Sequence, residues 1–257
     1  MEVRHDKTLF ILDAGTGIRE LGNSLLAKAK GGPIEGHIFI THTHWDHIQG
    51  FPFFIPAYIK GNHFQIYGPH GIDRSFEKVL RALMDPDYFP VDVNDMASTI
   101  EFKEVRGPWT CEGVRIKTHF TNHPGMDLAY RFEFGARSVT YVTDHETYQA
   151  MHKPSQFAEQ QDKAMEDFCR GTDLLICDAQ YTEEEYRAKK TWGHSQFQDT
   201  VKLALAAGVK RLALFHHDPA HTDEKMEEIG RAAKRIVAKS GKKMECLAAR
   251  EGLEIKI

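Results

Sequence analysis

The sequence lacks several features that would indicate particular classes of protein. Its 257 residues include only four cysteines, which lie far apart and form no Cys-x-x-Cys pair, so buried, reduced thiols are expected. No apolar run approaches the length of a membrane span, and the N-terminus carries no signal-peptide pattern. These absences predict a cytoplasmic protein with no membrane partner. The chain also shows no short repeat and no low-complexity linker.

An excess of positive charge is also lacking. The net charge is −4 and the sequence pI is near 6.4. Proteins that bind long nucleic acids through many phosphates usually have a basic surface, so this balance favours a small substrate and no stable nucleic-acid complex. The hydrophobic fraction of 41% and the charged fraction of 27% are ordinary for a globular protein. The length suffices for one large α/β domain with a substantial core.

The most informative segment is Thr-His-Thr-His-Trp-Asp-His-Ile-Gln-Gly at positions 41–50, directly after an apolar run. It contains three imidazoles and a carboxylate, from His42, His44, Asp46 and His47. Such groups suit divalent zinc, manganese or iron, and a loop leaving a strand can aim them at two neighbouring ions. A solvated histidine-rich turn is the alternative, but the compact His-x-His-x-Asp-His spacing favours a metal site.

Three further candidate ligands each follow a predicted strand: His123, Asp144 and His216. His217 is the adjacent alternative to His216, which is preferred because it comes first after the strand. A single His or Asp at a strand end more often makes surface hydrogen bonds or caps a turn. As a series added to the 41–50 motif, these residues favour a shared metal centre.

In this order, the residues resemble the motifs of the metallo-β-lactamase superfamily, over nearly the whole chain. The resemblance implies an α/β fold, namely an αββα sandwich of two mixed β-sheets flanked by helices, in a single domain spanning residues 1–257. It implies a cofactor of two divalent ions, with zinc expected and manganese or iron as alternatives. One ion would be held by His42, His44 and His123, and the other by Asp46, His47 and His216, with Asp144 bridging.

Two features of the N-terminal part also follow from this resemblance. Asp13 resembles the early strand-end aspartate of the family and is expected to orient the histidine loop, although a turn-forming Asp before glycine fits equally well. Family members usually carry one or two strands before the position of Glu2–Arg4, so the chain is expected to lack these strands. Because an uncovered sheet edge pairs readily, a homodimer is expected.

Segments 173–180 and 193–196 resemble paired motifs of the phosphodiesterase branch, best known from tRNA 3′-end endonucleases. In that branch an acidic residue holds a histidine that protonates the leaving oxygen. The matching residues are Asp178 and His194, and with Asp46 they form the expected catalytic set. The chain departs from the branch in having aspartate at 178 instead of glutamate and Gln196 instead of threonine. Phosphodiester hydrolysis expels an alkoxide, which needs a proton donor more than hydrolysis of a lactam or a thioester does. The second histidine therefore favours phosphodiester hydrolysis.

The main expectation for the substrate is a small or cyclic nucleotide-type phosphodiester. The tRNA-processing enzymes carry a Gly/Pro-rich arm that grips tRNA, and the sequence shows no convincing counterpart. The alternatives are an RNA 3′-end processing endonuclease, a thioesterase or lactamase-like hydrolase, and a metal-bearing sensor domain. Aromatic residues at 51–58 and 88–89 are candidates for base stacking, with core packing as the competing role.

Hydrophobic periodicity predicts the secondary structure in outline. Helices are expected at 18–30, 75–84, 156–170, 195–207 and 223–239, and 51–58 is expected to be a loop or short helix. Strands are expected at 8–12, 38–40, 64–67, 100–105, 114–119, 128–134, 138–143, 174–177, 211–215 and 253–257. The four strands between 100 and 143 are expected to be antiparallel.

Overall fold

The structure, a computed structural model of the chain, describes residues 1–71, 74–152 and 155–257. The chain divides into two compact units, Met1–Gly107 and Pro108–Ile257. Each unit contains one mixed β-sheet and its own helices. All four cysteines are buried, as predicted. Within the described part of the chain, no helix combines the length and apolarity needed to cross a membrane.

The first unit contains a five-stranded sheet in the order β1-β2-β3-β4-β5. Strand β1 is antiparallel to β2, and the four strands β2 to β5 are mutually parallel. The strands are β1 Glu2–His5, β2 Thr8–Leu12, β3 Glu35–Phe39, β4 His63–Pro69 and β5 Thr99–Val105. The helices are α1 Gly17–Ala29, α2 Trp45–Ile48 and α3 Phe76–Ala82, with 3-10 turns at Phe51–Phe53, Ile55–Tyr58 and Val93–Asp95.

The aromatic residues around position 51 divide between the core and the surface. Phe51 and Phe54 are buried in the core of the first unit, whereas Phe53 and Tyr88 are mostly exposed. The ring of Phe53 contacts the ring of Phe89 edge-on, with centroids 5.4 Å apart. The core role therefore holds for part of this aromatic set only.

The second unit contains a seven-stranded sheet in the order β12-β11-β10-β9-β8-β7-β6. Strands β6 to β9 are antiparallel neighbours, and β9 to β12 are parallel. The strands are β6 Trp109–Cys111, β7 Val114–Phe120, β8 Leu128–Phe134, β9 Arg137–Val142, β10 Leu174–Asp178, β11 Arg211–Phe215 and β12 Glu245–Ala248. The helices are α4 Tyr148–Met151, α5 Gln156–Cys169, α6 Glu183–Tyr186, α7 Phe197–Ala206 and α8 Asp223–Ser240.

The sequence of each element explains its position in the second unit. Strand β10 is buried at every residue, as expected for the middle of a parallel sheet covered on both faces. Helix α8 buries a stripe that includes Ile229, Ala233 and Val237 and exposes charged residues on the opposite side. It begins at the N-cap Thr222, whose side chain accepts a hydrogen bond from the Lys225 N–H.

Two strand predictions are wrong. Strand β5 pairs in parallel with β4, not in an antiparallel group with the later strands. The last strand is Glu245–Ala248, which pairs with β11, while 253–257 forms no strand. Residues 253–257 have the alternating pattern of a strand, but Leu253 and Ile257 are both exposed. Alternation alone therefore misplaced this strand, because pairing depends on a neighbour that the local pattern does not reveal.

Candidate active site

The first unit places a cluster of polar side chains where parallel strands end. This N-terminal cluster consists of Asp13, Thr41, His42, His44, Asp46 and His47. Asp13 follows β2, and the histidine segment begins two residues after β3. Because β2 and β3 are parallel neighbours, their carboxyl ends lie at the same edge of the sheet. Helix α2 then carries Asp46 and His47 in its first turn.

Hydrogen bonds fix the histidine rings of the N-terminal cluster. The Asp13 carboxylate accepts from His47 Nδ1 at 3.0 Å, and from the Thr41 backbone N–H at 2.8 Å and its hydroxyl at 3.1 Å. Because the Thr41 hydroxyl donates to Asp13, His42 Nδ1, 3.1 Å from it, is the donor to Thr41. Both rings therefore carry their proton on Nδ1 and present the Nε2 lone pair. Of the two roles considered for Asp13, these hydrogen bonds fit the one in which it orients the histidine loop.

The donor set of the N-terminal cluster fits a metal ion. His47 Nε2 lies 3.2 Å from Asp46 Oδ2, so an imidazole lone pair faces a carboxylate oxygen. The His42 ring centroid lies 4.5 Å from that of His44 and 4.2 Å from that of His47. Burial opposes the ionisation of Asp13, but the adjacent His47 and the hydrogen bonds to this carboxyl hold its pKa below its ordinary value.

A glycine allows the turn after β2 to approach the histidine segment closely. A Cβ atom at Gly15 would collide with the backbone carbonyl oxygen of Asp46. Two backbone hydrogen bonds join the same segments, from Ala14 N–H to the His47 carbonyl at 2.7 Å and from Gly50 N–H to the Ala14 carbonyl at 2.9 Å. The Asp-Ala-Gly turn is therefore the rigid support of helix α2.

The second unit brings a second set of predicted residues together. This C-terminal cluster consists of His123, Asp144, Asp178, His194 and His216. Asp144, Asp178 and His216 lie at or just beyond the carboxyl ends of β9, β10 and β11, which are parallel neighbours. Asp144 and His216 have left-handed φ values of 43° and 55°. Such strained backbone in non-glycine residues is concentrated at functional sites.

Asp144 lies between two imidazoles. Its Oδ1 atom is 3.2 Å from His216 Nε2, and its Oδ2 atom is 3.7 Å from His123 Nε2. His123 Nδ1 donates to the Gly193 carbonyl at 3.1 Å, so its Nε2 presents a lone pair towards the carboxylate. A bound cation stabilises such a facing pair of electron donors, and the donor set therefore fits a metal ligated by nitrogen and oxygen. Gly193 has φ +88°, and a Cβ atom there would collide with the His123 ring.

His194 and Asp178 form a hydrogen-bonded pair beside these residues. His194 Nδ1 donates to Asp178 Oδ2 at 2.8 Å, and Asp178 is fully buried. The same carboxylate accepts from the backbone N–H groups of His145 and Gln180 at 3.1 and 3.0 Å. The His194 ring stacks on the His216 ring with centroids 5.0 Å apart. A histidine held through Nδ1 in this way exposes Nε2 for proton transfer.

The two adjacent histidines after β11 have different partners. His217 Nε2 donates to the Ala249 carbonyl at 3.0 Å, whereas His216 Nε2 faces Asp144. The Gln180 side-chain amide lies 3.4 Å from His216 Nδ1. If this amide presents its oxygen, His216 donates from Nδ1 and keeps the Nε2 lone pair for a ligand. Gln180 was not found by sequence reasoning, although it lies two residues after Asp178.

Glu146 is the main site residue that the sequence did not reveal. It is fully buried, and it accepts from the backbone N–H groups of Thr191 and Gly193, both at 2.9 Å, and from the Tyr186 hydroxyl at 2.6 Å. It therefore fixes the segment that delivers His194. The signal that could have identified Glu146 is its position two residues after the candidate ligand Asp144, close to the end of β9.

Comparisons with known proteins agree with this geometry. A family model described as the beta-lactamase superfamily domain matches residues 8–217. The chain belongs to this superfamily of metal-dependent hydrolases, whose members use two metal ions. The predicted fold class is thereby confirmed as the metallo-β-lactamase fold.

Individual relatives are similar at low identity. Ribonuclease Z of Brevibacillus brevis is 24% identical over 236 residues, covering 77% of this chain and 74% of the relative. The metallo-β-lactamase fold protein YhfI from Bacillus subtilis superposes with a TM-score of 0.67 at 17% identity, covering 98% of this chain and 88% of YhfI. Human tRNase Z, short form, gives a TM-score of 0.65 at 18% identity, covering 100% and 91% of the two chains.

Proposed function

We propose that the protein is a two-metal phosphodiesterase that hydrolyses RNA. The observation that carries this proposal is the buried Asp178–His194 pair, whose imidazole stacks on the candidate ligand His216. Hydrolysis of a nucleic-acid phosphodiester expels an alkoxide, which needs a proton as it leaves. His194 donates from Nδ1 to Asp178, so its Nε2 is the atom that holds and transfers that proton, and the carboxylate compensates the positive charge of the doubly protonated ring.

The proposed metal ligands are the seven His and Asp residues predicted from the sequence. His42, His44 and His123 would hold one ion, Asp46, His47 and His216 would hold the other, and Asp144 would be the ligand shared by the two. The hydrogen bonds that fix Nδ1 of His42, His47 and His123 support this assignment, because each leaves Nε2 as the donor atom. The orientation of His216 towards Asp144 supports it over His217.

Zinc is proposed as the metal, with manganese or iron as alternatives, because the nitrogen and carboxylate ligands accept all three. When bound, two such ions lower the pKa of a water nucleophile and stabilise charge on the phosphoryl oxygens. Asp46 completes the proposed catalytic set, and its carboxylate faces His47 Nε2 within the N-terminal cluster.

RNA is proposed as the substrate because similarity to Ribonuclease Z extends over most of the chain. This similarity favours the alternative stated from the sequence over the main expectation of a small diester. A small or cyclic nucleotide remains the second candidate. The net charge of −4 and the lack of a counterpart to the tRNA-gripping arm in the sequence favour it.

The test uses purified protein, stripped of metal and reloaded with zinc or manganese. The substrates are a precursor tRNA with a 3′ trailer, a cyclic dinucleotide, bis(p-nitrophenyl) phosphate, a nitrophenyl thioester and a chromogenic β-lactam. Metal-dependent cleavage of the diesters alone supports a phosphodiesterase, and the ratio between precursor tRNA and cyclic dinucleotide decides the substrate. Turnover of only the thioester or the lactam would move the protein to another branch of the superfamily.

The role of His194 gives the first prediction. His194→Ala should lower the rate of RNA cleavage roughly 10²- to 10⁴-fold, because the alkoxide loses its proton donor. Cleavage of bis(p-nitrophenyl) phosphate should fall much less, because p-nitrophenolate leaves without a proton. His63→Ala, which removes a histidine of β4 paired with Glu101, is the control and should affect neither rate. Equal losses on both substrates would contradict the general-acid role.

A further inference from the structure

The loop before His194 holds a tryptophan in an exposed position. Trp192 is 55% exposed, although it lies only two residues from the candidate general acid. The N–H groups on either side of it, from Thr191 and Gly193, both donate to the buried Glu146. Its own N–H donates to the Lys189 carbonyl at 3.2 Å. The indole is therefore presented to solvent by a fixed backbone, not by a flexible tip.

A lysine lies over this indole. The Lys189 ammonium is 4.0 Å from the centroid of the Trp192 ring and 5.8 Å from that of Tyr181. Among the described residues, no carboxylate oxygen lies within 4.0 Å of this ammonium. The cation is thus held by aromatic faces and keeps its charge available for an anionic ligand.

The pair adjoins the candidate general acid His194 through Tyr181. The Tyr181 ring, which Lys189 covers, is packed edge-on against the His194 ring with centroids 6.1 Å apart. If His194 gives its proton to the leaving oxygen, the nucleoside that carries that oxygen extends from His194. Trp192 and Lys189 form the surface of this loop next to His194.

We propose that Trp192 and Lys189 bind the leaving nucleotide, with the base stacked on the indole and its own 5′-phosphate bound by the ammonium. The site rests on the proposed phosphodiesterase function for its biological meaning. Stacking on an exposed aromatic ring accepts any base, and a lysine beside the ring adds contact with the backbone phosphate. The ligand class is therefore a nucleoside monophosphate unit within RNA or a smaller nucleotide, without selection for one base.

Binding is tested on the metal-free protein, so that no ion can hold the phosphate. AMP is titrated while tryptophan fluorescence is recorded, and Kd values are measured by calorimetry. Ribose 5-phosphate and inorganic phosphate are the ligands without a base. AMP should quench the fluorescence to saturation, whereas the two other ligands should leave it unchanged. The quenching should disappear in Trp192→Phe but persist in Trp109→Phe, which removes an indole of β6.

The variants measure each contact separately. Trp192→Ala should weaken AMP binding about tenfold, and Trp192→Phe should restore part of the loss, because stacking is worth roughly 1–3 kcal/mol per base. Lys189→Gln should weaken it roughly threefold. Lys202→Gln, which makes the same charge change at a lysine paired with Asp199, should leave Kd unchanged.

The outcomes separate this site from the proposed function. Equal quenching by inorganic phosphate, an unchanged Kd in Trp192→Ala, or no AMP binding at all would overturn the nucleotide site. Diester turnover is measured independently with bis(p-nitrophenyl) phosphate and metal-loaded protein. Turnover without AMP binding removes only the site, and AMP binding without diester turnover removes only the proposed function.

Discussion

Glu146 supports two members of the C-terminal cluster, His123 and His194, through one carboxylate. It accepts from the Thr191 and Gly193 N–H groups, and the Gly193 carbonyl in turn accepts from His123. The position of the segment that carries His194 therefore depends on this buried carboxylate. The orientation of the His123 ring depends on it as well. The neutral amide of glutamine cannot replace this carboxylate. Its NH2 group is a donor, and it would face one of the groups that donate to Glu146.

Glu146→Gln should accordingly lower the turnover of RNA about 10- to 100-fold while the protein stays folded, because the segment carrying His194 loses its position. Tyr186→Phe removes only the third hydrogen bond and should cost less. Activity is compared with circular dichroism and with the metal content of each variant. Unchanged turnover in Glu146→Gln would show that the backbone holds His194 without this carboxylate.

His145 makes the stability of the protein depend on pH. It is buried, and burial lowers the pKa of its imidazole to about 4, against a smaller opposing effect of Asp178. Its Nδ1 accepts from the Asn122 N–H at 3.1 Å, which requires the neutral ring. The unfolded chain takes up this proton near pH 6.5, so the free energy of unfolding falls as the pH drops from 6.5 to 4.

This single group should contribute about 3 kcal/mol to that loss. His145→Asn keeps an acceptor for the Asn122 N–H but cannot be protonated. The variant should be less stable than the original protein at neutral pH, because its smaller side chain leaves a cavity, but its stability should fall less between pH 6.5 and 4. Urea unfolding of metal-stripped protein at several pH values measures both slopes, and parallel slopes would contradict the assignment.

At the scale of the elements, one carboxylate joins the amino ends of three parallel strands. Asp173 precedes β10 and accepts from the Ser138 N–H of β9 at 2.9 Å, from Arg137 at 3.0 Å and from Lys210, which precedes β11, at 2.8 Å. Burial opposes its charge, but Lys210 and Arg137 outweigh burial and hold the pKa of Asp173 below its ordinary value of 3.8.

Asp173→Asn should lower the free energy of unfolding by about 1–2 kcal/mol at neutral pH and leave turnover unchanged. The expected loss of stability is modest because Arg137 and Lys210 are more than half exposed and solvent screens their charges. Since the depressed pKa stabilises the fold only while the carboxyl is ionised, the difference from the original protein should shrink as the pH falls below 3.8. Denaturant curves at neutral and acidic pH measure it, and a constant difference would contradict this explanation.

The sequence predicted most elements because their patterns are local. Helix α8 has the apolar periodicity of a helix, and strands β10 and β11 are short apolar runs bounded by polar residues. The direction of β5 and the identity of the last strand were not local properties, because they depend on which neighbour each strand meets. The short strands β1, β6 and β12 were missed for the same reason.

At the scale of the whole molecule, the proposed metal ions should stabilise the folded state. The proposed ligands lie far apart in the sequence, so the proposed ions should bind the folded protein and not the unfolded chain. Removing them with a chelator should lower Tm by roughly 5–15 °C, and adding zinc should restore it. Asp144→Asn should reduce the shift strongly, whereas Asp173→Asn should keep it. Differential scanning calorimetry measures Tm, and an unchanged Tm after complete metal removal would contradict the proposed centre.

The two clusters of candidate residues were predictable to different degrees. The N-terminal cluster comes from one short segment, so its residues could be recognised together, and the structure places them together. In the C-terminal cluster, His123, Asp144 and His216 were identified only as a series at strand ends. The role of Glu146 depends on hydrogen bonds to loop backbone, and the proposed role of Trp192 depends on its exposure. No local residue pattern encodes either property.

Three neighbouring parallel strands, β9 to β11, each end at, or one or two residues before, a residue of the C-terminal cluster. Deleting one residue inside such a strand would shift its terminal side chain by about 3.3 Å and turn it to the opposite face of the sheet. Outside the stretches that carry Glu146 and His194, the segments that return from one strand to the next have no such restriction on length. Insertions and deletions during evolution should therefore accumulate in these connections, so that new substrate-binding surfaces can arise while the positions of the reacting groups stay the same.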